Sequence, residues 1–187
     1  KIIFEGKDIT PLPAFKICRL GIARTFQTVK VFPNVPVVRN VMVGALFGTG
    51  HHMSSSEARK KAEEALEFVD MTAYKDLPAG DLTLAQQKRL ELARALASDP
   101  KLLLLDELMA GLTPTEVSEA MNDVAEIKKR GITVIMIEHV MQAIMKISDR
   151  IVVLDYGKKI AEGTPAEVAA NPRVIEVYLG EECDAGD

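Results

Sequence analysis

The sequence predicts an α/β fold in which helices flank a parallel sheet. Two runs, Leu102–Leu105 and Ile132–Ile137, are apolar without alternation. They are too short for buried helices and are bounded by turn signals, the pattern of strands covered on both faces. Between them, Val117, Ala120, Met121, Val124 and Ile127 recur at helical spacing after Pro114 and before Gly131, as in a crossover helix with a first-turn proline and a C-terminal glycine. A further strand signal, Arg150–Asp155, follows a short helix signal. The order strand, helix, strand, helix, strand implies parallel strands joined by right-handed crossovers.

The remaining elements follow in chain order. Lys1–Thr10 reads as a short strand and turn, with Ile2 and Phe4 before Gly6-Lys7-Asp8, and Pro11 and Pro13 open a short helix ending near Gly21. Ile22–Gln27 is extended. From Thr28 to His52, Pro33, Pro36, Gly44, Gly48 and Gly50 interrupt an apolar stretch, which predicts short helices and loops in place of one regular element, and a docking surface. Ser54-Ser55-Ser56 offers N-cap oxygens to a helix from about Ser56 to Met71, with Ala58, Ala62, Ala65, Leu66 and Val69 on one face. After Leu77-Pro78-Ala79-Gly80, a helix runs from about Thr83 to Ser98, burying Leu90, Ala93, Leu96 and Ala97, and Asp99-Pro100 stops it. Val140–Ile147 reads as a short helix and Lys159–Ala161 as a short strand after the Tyr156-Gly157-Lys158 turn, and Pro165 and Pro172 open two terminal helices.

The 187 residues are 48% hydrophobic and 27% charged, enough apolar material for a core. Lys+Arg number 23 against 27 Asp+Glu, a net charge of −4, which lacks the basic excess of a nucleic-acid footprint. No apolar run approaches the roughly 20 residues that span a bilayer. Cys18 and Cys183 lie far apart, so neither a disulfide framework nor a zinc site is suggested, and a reducing compartment fits. His51-His52 has no partner ligands nearby and reads as a solvated turn, Lys128-Lys129-Arg130 as a solvated helix end that complements the dipole, and Met136, Met141 and Met145 as core filling.

In an open α/β sheet, ligands gather at the carboxyl ends of the strands. Two such ends carry chemistry. Asp106-Glu107 follows Leu102–Leu105, a pair in which the first carboxylate can hold hydrated Mg²⁺ and the second can orient or deprotonate a water. Glu138-His139 follows Ile132–Ile137, about one crossover unit later. Either pair alone could simply solvate a strand end. A phosphate cradle of the form Gly-x-x-x-x-Gly-Lys-Ser/Thr does not occur in these 187 residues: Gly6-Lys7 and Gly157-Lys158 have neither the earlier glycine nor the following hydroxyl.

Five segments occur in the order and spacing of an ATP-binding cassette (ABC) transporter ATPase: Arg24-Thr25-Phe26-Gln27, Leu82 through Leu96, Leu102–Glu107, Ala110-Gly111-Leu112-Thr113-Pro114 and Ile137-Glu138-His139. The resemblance covers nearly the whole chain. It is closest to the ATPase subunits of branched-chain amino-acid importers, through Gly21–Gln27, Asn40-Val41, Ile160–Pro165 and Tyr178-Leu179-Gly180. It implies a P-loop NTPase-like parallel sheet with an inserted helical subdomain. In that layout residues 28–98 form the helical subdomain with its signature helix, 99–163 a RecA-like core part, and 164–187 the C-terminal helices. The chain resembles the family from just after the P-loop helix onward, so the P-loop, the adenine platform and the first strands are expected to be missing from it, and these residues alone are expected not to hydrolyse ATP.

The resemblance also implies roles. Gln27 matches the Q-loop glutamine, which touches Mg²⁺ and the attacking water. Asp106 matches the Walker B aspartate that serves the metal, Glu107 the catalytic glutamate, and His139 the switch histidine that contacts the γ-phosphate. Leu82, Thr83, Leu84, Ala85 and Gln86 match the signature that binds ATP held by the opposite subunit. The helix N-terminus at Thr83 suits an anion through its free amides and dipole, although Thr83 also reads as a plain N-cap. Ala110, Gly111, Leu112 and Thr113 match the D-loop. The implied cofactors are ATP and Mg²⁺. The implied partners are a second ABC ATPase subunit in a homo- or heterodimer, membrane permease subunits and, indirectly, a solute-binding protein, at the cytoplasmic face of the plasma membrane.

Departures from the family pattern are local. Thr83 replaces serine but keeps the hydroxyl, whereas Ala85 stands where glycine lets backbone approach phosphate. Leu108 takes the place of a common proline, and Thr113 that of an aspartate or asparagine. Two other readings stay open at this level: a non-hydrolysing interaction module of ABC type, and the ATPase of an exporter.

Overall fold

The structure is a computed structural model that describes residues 1–48 and 53–179. His51, His52, Gly50 and Cys183 lie outside the described residues. The chain divides into two compact units, Lys1–Glu138 and His139–Asp187.

The first unit opens with an antiparallel hairpin, β1 (Ile3–Phe4) and β2 (Lys7–Asp8), followed by α1 (Ala14–Arg19). Its sheet has three parallel strands, β3 (Ile22–Arg24), β4 (Leu102–Asp106) and β5 (Thr133–Ile137), in the order β3-β4-β5. Ala23 pairs with Leu103, which pairs with Val134. The central β4 is the most protected strand: Leu103 and Leu105 are 0% and 1% exposed. The parallel α/β arrangement predicted from the leucine run is therefore present, with α5 (Pro114–Lys129) as the crossover between β4 and β5.

Two expectations about the sheet are corrected. Its third strand is the early Ile22–Arg24 segment, because Arg150–Asp155 belongs to the second unit. The run Ile132–Ile137 is not covered on both faces: Val134 and Met136 are half-buried, while Ile135 and Ile137 are 54% and 65% exposed. As the outer strand of this sheet, β5 has its exposure set by position and not by its own apolarity.

A helical layer comprises α2 (Val37–Phe47), α3 (Ser55–Phe68) and α4 (Leu84–Leu96), which pack on one another. The predicted string of short helices between Thr28 and His52 is replaced by α2, one regular helix of 11 residues. Pro36 sits at its N-cap, where the missing amide costs nothing. Gly44 is not a breaker but a point of backbone contact: a Cβ there would lie 2.0 Å from the Arg94 carbonyl oxygen on α4. Only glycine permits so close a crossing. Asn40, fully buried on α2, accepts from the Phe32 amide at 2.8 Å and donates to the Val35 carbonyl at 2.9 Å, tying down the preceding loop. The helix boundaries of α3 and α4 follow their caps. Ser54 forms a capping box with Glu57, and Thr83 forms one with Gln86. At the end of α5, Arg130 is stacked over the Phe68 ring at 4.0 Å, so this charged terminus also packs.

The second unit contains α6 (Met141–Ile147), the antiparallel pair β6 (Ile151–Asp155) and β7 (Lys158–Gly163), then α7 (Pro165–Ala169), α8 (Pro172–Val174) and a wide helical turn over Ile175–Leu179. The two-residue connection at Tyr156-Gly157, with φ of 43° and 77°, can only return the chain antiparallel. Ile151, Ala161, Val168 and Val174 form its core, with Met145 packed against it. Among the described residues, no helix is long and apolar enough to cross a membrane.

Candidate functional site

The parallel register carries Gln27, Asp106 and Glu107 to one edge of the sheet. β3 ends at Arg24 beside Leu104 of β4, so the residues just beyond both strands emerge together. Three side-chain bonds join them. The Arg24 guanidinium donates to the Asp106 carboxylate at 2.8 Å, the buried Thr25 hydroxyl accepts from the Asp106 amide at 3.3 Å, and the Gln27 amide nitrogen donates to the Glu107 carboxylate at 2.9 Å. Arg24 also lies over the Phe26 ring at 5.3 Å.

The turn after β4 is held as firmly as the strand. Glu107 has a φ of +48°, a left-handed conformation that costs a non-glycine residue about 1 kcal/mol or more. Its amide donates to the Ile137 carbonyl at 2.9 Å, extending the ladder to β5 by one step. The buried Met109 amide donates to Glu138 at 2.8 Å. Lys88, reaching in from α4, donates to the carbonyls of Glu107 and Leu108 at 2.8 and 3.0 Å. Burial lowers the Lys88 ammonium from the usual lysine range, against the pull of Glu138, Glu107 and Glu91.

The donor set at this edge is oxygen-based: two carboxylates and the Gln27 amide. Such a set fits Mg²⁺, which takes one or two carboxylates and completes its shell with water and phosphate. Among the described residues, no three His, Cys, Asp or Glu form a fuller cage.

The segment Leu82–Gln86 sits at the amino end of α4. The Thr83 hydroxyl accepts from the Gln86 amide at 3.3 Å, and the Gln86 side chain accepts from the Thr83 amide at 2.9 Å. The cap leaves the first-turn amides of Leu84 and Ala85 without an intrahelical acceptor. Leu82 is buried and Leu84 is 49% exposed. Beside this terminus lies a cleft of about 210 Å³ lined in part by Asp70, Tyr74, Thr83, Gln86, Arg89 and Glu119. Arg89 is ion-paired with Glu119. Nearby Asp123 has its carboxyl pushed up to about 6, chiefly by burial, with Glu119 and Asp70 adding to the rise and Arg89 opposing it.

Ala110-Gly111-Leu112-Thr113 leads from the β4 turn into α5. Thr113 is the N-cap of α5, donating its amide and hydroxyl to Glu116 at 2.7 and 2.8 Å, and these bonds hold the Glu116 carboxyl below its usual range. Gly111, with a φ of +75°, faces Leu84: a Cβ there would lie 3.2 Å from the leucine Cδ2. His139 is exposed and opens the second unit. The structure thus bonds Gln27 to Glu107, places Asp106 beside them at the end of β4 and leaves Thr83 at the amino end of α4.

Sequence reasoning missed Lys88, and it assigned no role to Arg24, Thr25 or Glu138. For Lys88 a signal was present: it stands four residues before the buried Leu92, on a helix face where a charge has to find a partner. Arg24 and Thr25 carried no comparable signal, because their partner lies about eighty residues away.

Comparison with known proteins agrees with this layout. The sequence model described as "ABC transporter" matches residues 1–110, and the one described as "Branched-chain amino acid ATP-binding cassette transporter" matches residues 158–184. The high-affinity branched-chain amino acid transport ATP-binding protein BraF of Pseudomonas aeruginosa is 39% identical, the alignment covering 96% of this chain and 76% of that protein. The corresponding LivG protein of Escherichia coli is 36% identical over the same shares. Among solved structures, the ADP conformation of an ATP-binding cassette of an ABC transporter superposes with a TM-score of 0.82 at 34% identity, covering 95% of this chain and 75% of that one. A nucleotide-free cassette from an ABC transporter gives a TM-score of 0.80 at 31% identity, covering 94% and 75%.

Proposed function

Because the chain belongs to the ABC transporter ATP-binding family, we propose that it is the ATP-hydrolysing subunit of an importer for branched-chain or related amino acids. The relatives BraF and LivG, named for that transport, and the match at residues 158–184 support the substrate class. In this reading residues 28–98 form the helical subdomain, 99–163 part of the nucleotide-binding core and 164–187 the C-terminal helices. Two ATPase subunits sandwich ATP, each offering its Leu82–Gln86 segment to nucleotide held by the other. Permease subunits in the membrane dock on the region near Gln27–Gly50, a solute-binding protein delivers the ligand outside, and the ATPase lies at the cytoplasmic face.

The observation that carries the catalytic part is the bond between Gln27 and Glu107 beside Asp106, at the carboxyl ends of adjacent parallel strands. Gln27 orients the Glu107 carboxylate, and Glu107 accepts a proton from the attacking water as its oxygen bonds to the γ-phosphorus. The bond to the bridging oxygen breaks and ADP leaves. Mg²⁺, held by Asp106 and Gln27 together with phosphate oxygens, would neutralise phosphate charge. Amides at the amino end of α4 receive anionic oxygen through their free N–H groups and the helix dipole. The D-loop residues Ala110–Thr113 carry the dimer contact, and His139 contacts the γ-phosphate.

The test is ATP turnover and amino-acid uptake by the full chain assembled with its membrane subunits. Glu107→Gln is expected to lower turnover about 100-fold or more while ATP binding is kept. Unchanged turnover would refute the catalytic assignment, and ATP-driven export in place of uptake would refute the transport direction.

A further inference from the structure

We propose that Lys88 is a positioning residue for hydrolysis: it braces the backbone of Glu107 and couples the amino end of α4 to that carboxylate. The inference rests on the reading of Glu107 as the catalytic base.

Lys88 is 6% exposed. A lysine is almost never so buried without strong pairing, and this one spends its ammonium on two successive main-chain carbonyls, Glu107 at 2.8 Å and Leu108 at 3.0 Å. Those carbonyls belong to the turn where Glu107 adopts its left-handed φ of +48°. Such a conformation persists only where the surroundings over-determine it. The other restraints on the turn come from the sheet side: the Glu107 amide on the Ile137 carbonyl, and the Met109 amide on Glu138. Lys88 reaches this turn from the helical layer. It also stands about one helical turn after Leu84 and Ala85, whose first-turn amides have no intrahelical acceptor. A rigid helix turn followed by two charge-assisted hydrogen bonds forms a short mechanical path from that end to the Glu107 backbone. Displacement of α4 on engaging the partner subunit's nucleotide would therefore move the carboxylate that activates water on this subunit's own nucleotide. A buried hydrophobic residue at this position would fill the same space and provide no such path.

The experiment compares Lys88→Met, Lys88→Arg and Glu107→Gln in the full chain assembled with its transporter partners, measuring ATP turnover, KM and direct ATP binding. Lys88→Met is expected to lower kcat at least ~10-fold while KM and ATP affinity stay within about twofold, because the carboxylate is misplaced and binding is not. Lys88→Arg keeps donors for both carbonyls and is expected to restore most of kcat. A role in folding alone would lower thermal stability without this split between kcat and KM. If Glu107→Gln abolishes turnover but Lys88→Met keeps kcat within about twofold of the parent, the inference about Lys88 is overturned and the catalytic reading stands. If Glu107→Gln itself leaves turnover unchanged, the catalytic reading fails first. Should Lys88→Met not fold, Lys88→Gln retains an uncharged NH2 donor on a shorter side chain and is expected to show intermediate kcat at unchanged KM; kcat equal to the parent's overturns the proposal.

Discussion

The carboxyl end of β4 and the amino end of α4 carry the two halves of the proposed chemistry, and they are built in opposite ways. At the strand end almost every restraint is long-range. Asp106 is held by Arg24 and Thr25, Glu107 by Gln27, Ile137 and Lys88, and Met109 by Glu138. At the helix end the geometry is written within four residues, as Thr83 and Gln86 cap each other. The same local device recurs at Ser54–Glu57, Thr113–Glu116 and Thr164–Glu167. The comparison teaches that a helix end able to receive anions needs only a capping box and free amides, whereas a carboxylate held in a left-handed turn needs the whole sheet edge around it.

Substitutions can break this contrast, the largest effect first. Glu138→Ala removes the acceptor from the buried Met109 amide and is expected to cost about 2 kcal/mol in urea unfolding. Glu138→Gln, which keeps an acceptor oxygen, should cost less than half as much. Equal losses would mean that the turn does not depend on this bond. Thr83→Ala and Ser54→Ala should each cost about 1 kcal/mol, since both residues cap their helices through a capping box. They should part in a second measurement, with Thr83→Ala weakening ATP-dependent dimerisation more than Ser54→Ala does. Equal dimerisation would reduce Thr83 to a plain cap.

The smallest effect concerns pH. Asp123, which faces Arg89, Glu119 and Asp70, has its carboxyl raised to about 6 in the folded chain. The folded state therefore holds this proton more tightly than the unfolded state. The stability that results is present below about pH 4 and lost as pH rises through 6. Asp123→Asn should flatten that slope, gaining about 1 kcal/mol or less on the parent between pH 4 and 6, because solvent screens the half-buried site. A parent and variant with parallel stability curves would show that Asp123 titrates normally.

Legibility followed the same division. The cap residues Ser54 and Thr83 and the prolines at 114, 165 and 172 marked helix starts, because capping acts over three or four residues. The central strand was plain from four consecutive leucines. The segment around Gly44 misled, since a glycine that admits the Arg94 carbonyl looks, in sequence, like one that ends a helix. The outer face of β5 misled for a related reason: Ile135 and Ile137 are as apolar as the leucines of β4, and only sheet order distinguishes an outer strand from a central one.

What the sequence determined by itself was therefore most of the elements, with α2 the exception, the α/β class, capped helix ends at Ser54 and Thr83, and the identity of Asp106 and Glu107 as strand-end acids. These rest on periodicity and short-range hydrogen bonding, which neighbouring residues encode. The tertiary structure alone decided that Gln27 meets Glu107, that Arg24 pairs with Asp106 and that Lys88 reaches the Glu107 carbonyl. Such contacts join residues distant in the chain, and they exist only once the parallel register and the close α2–α4 crossing have set the backbones in place.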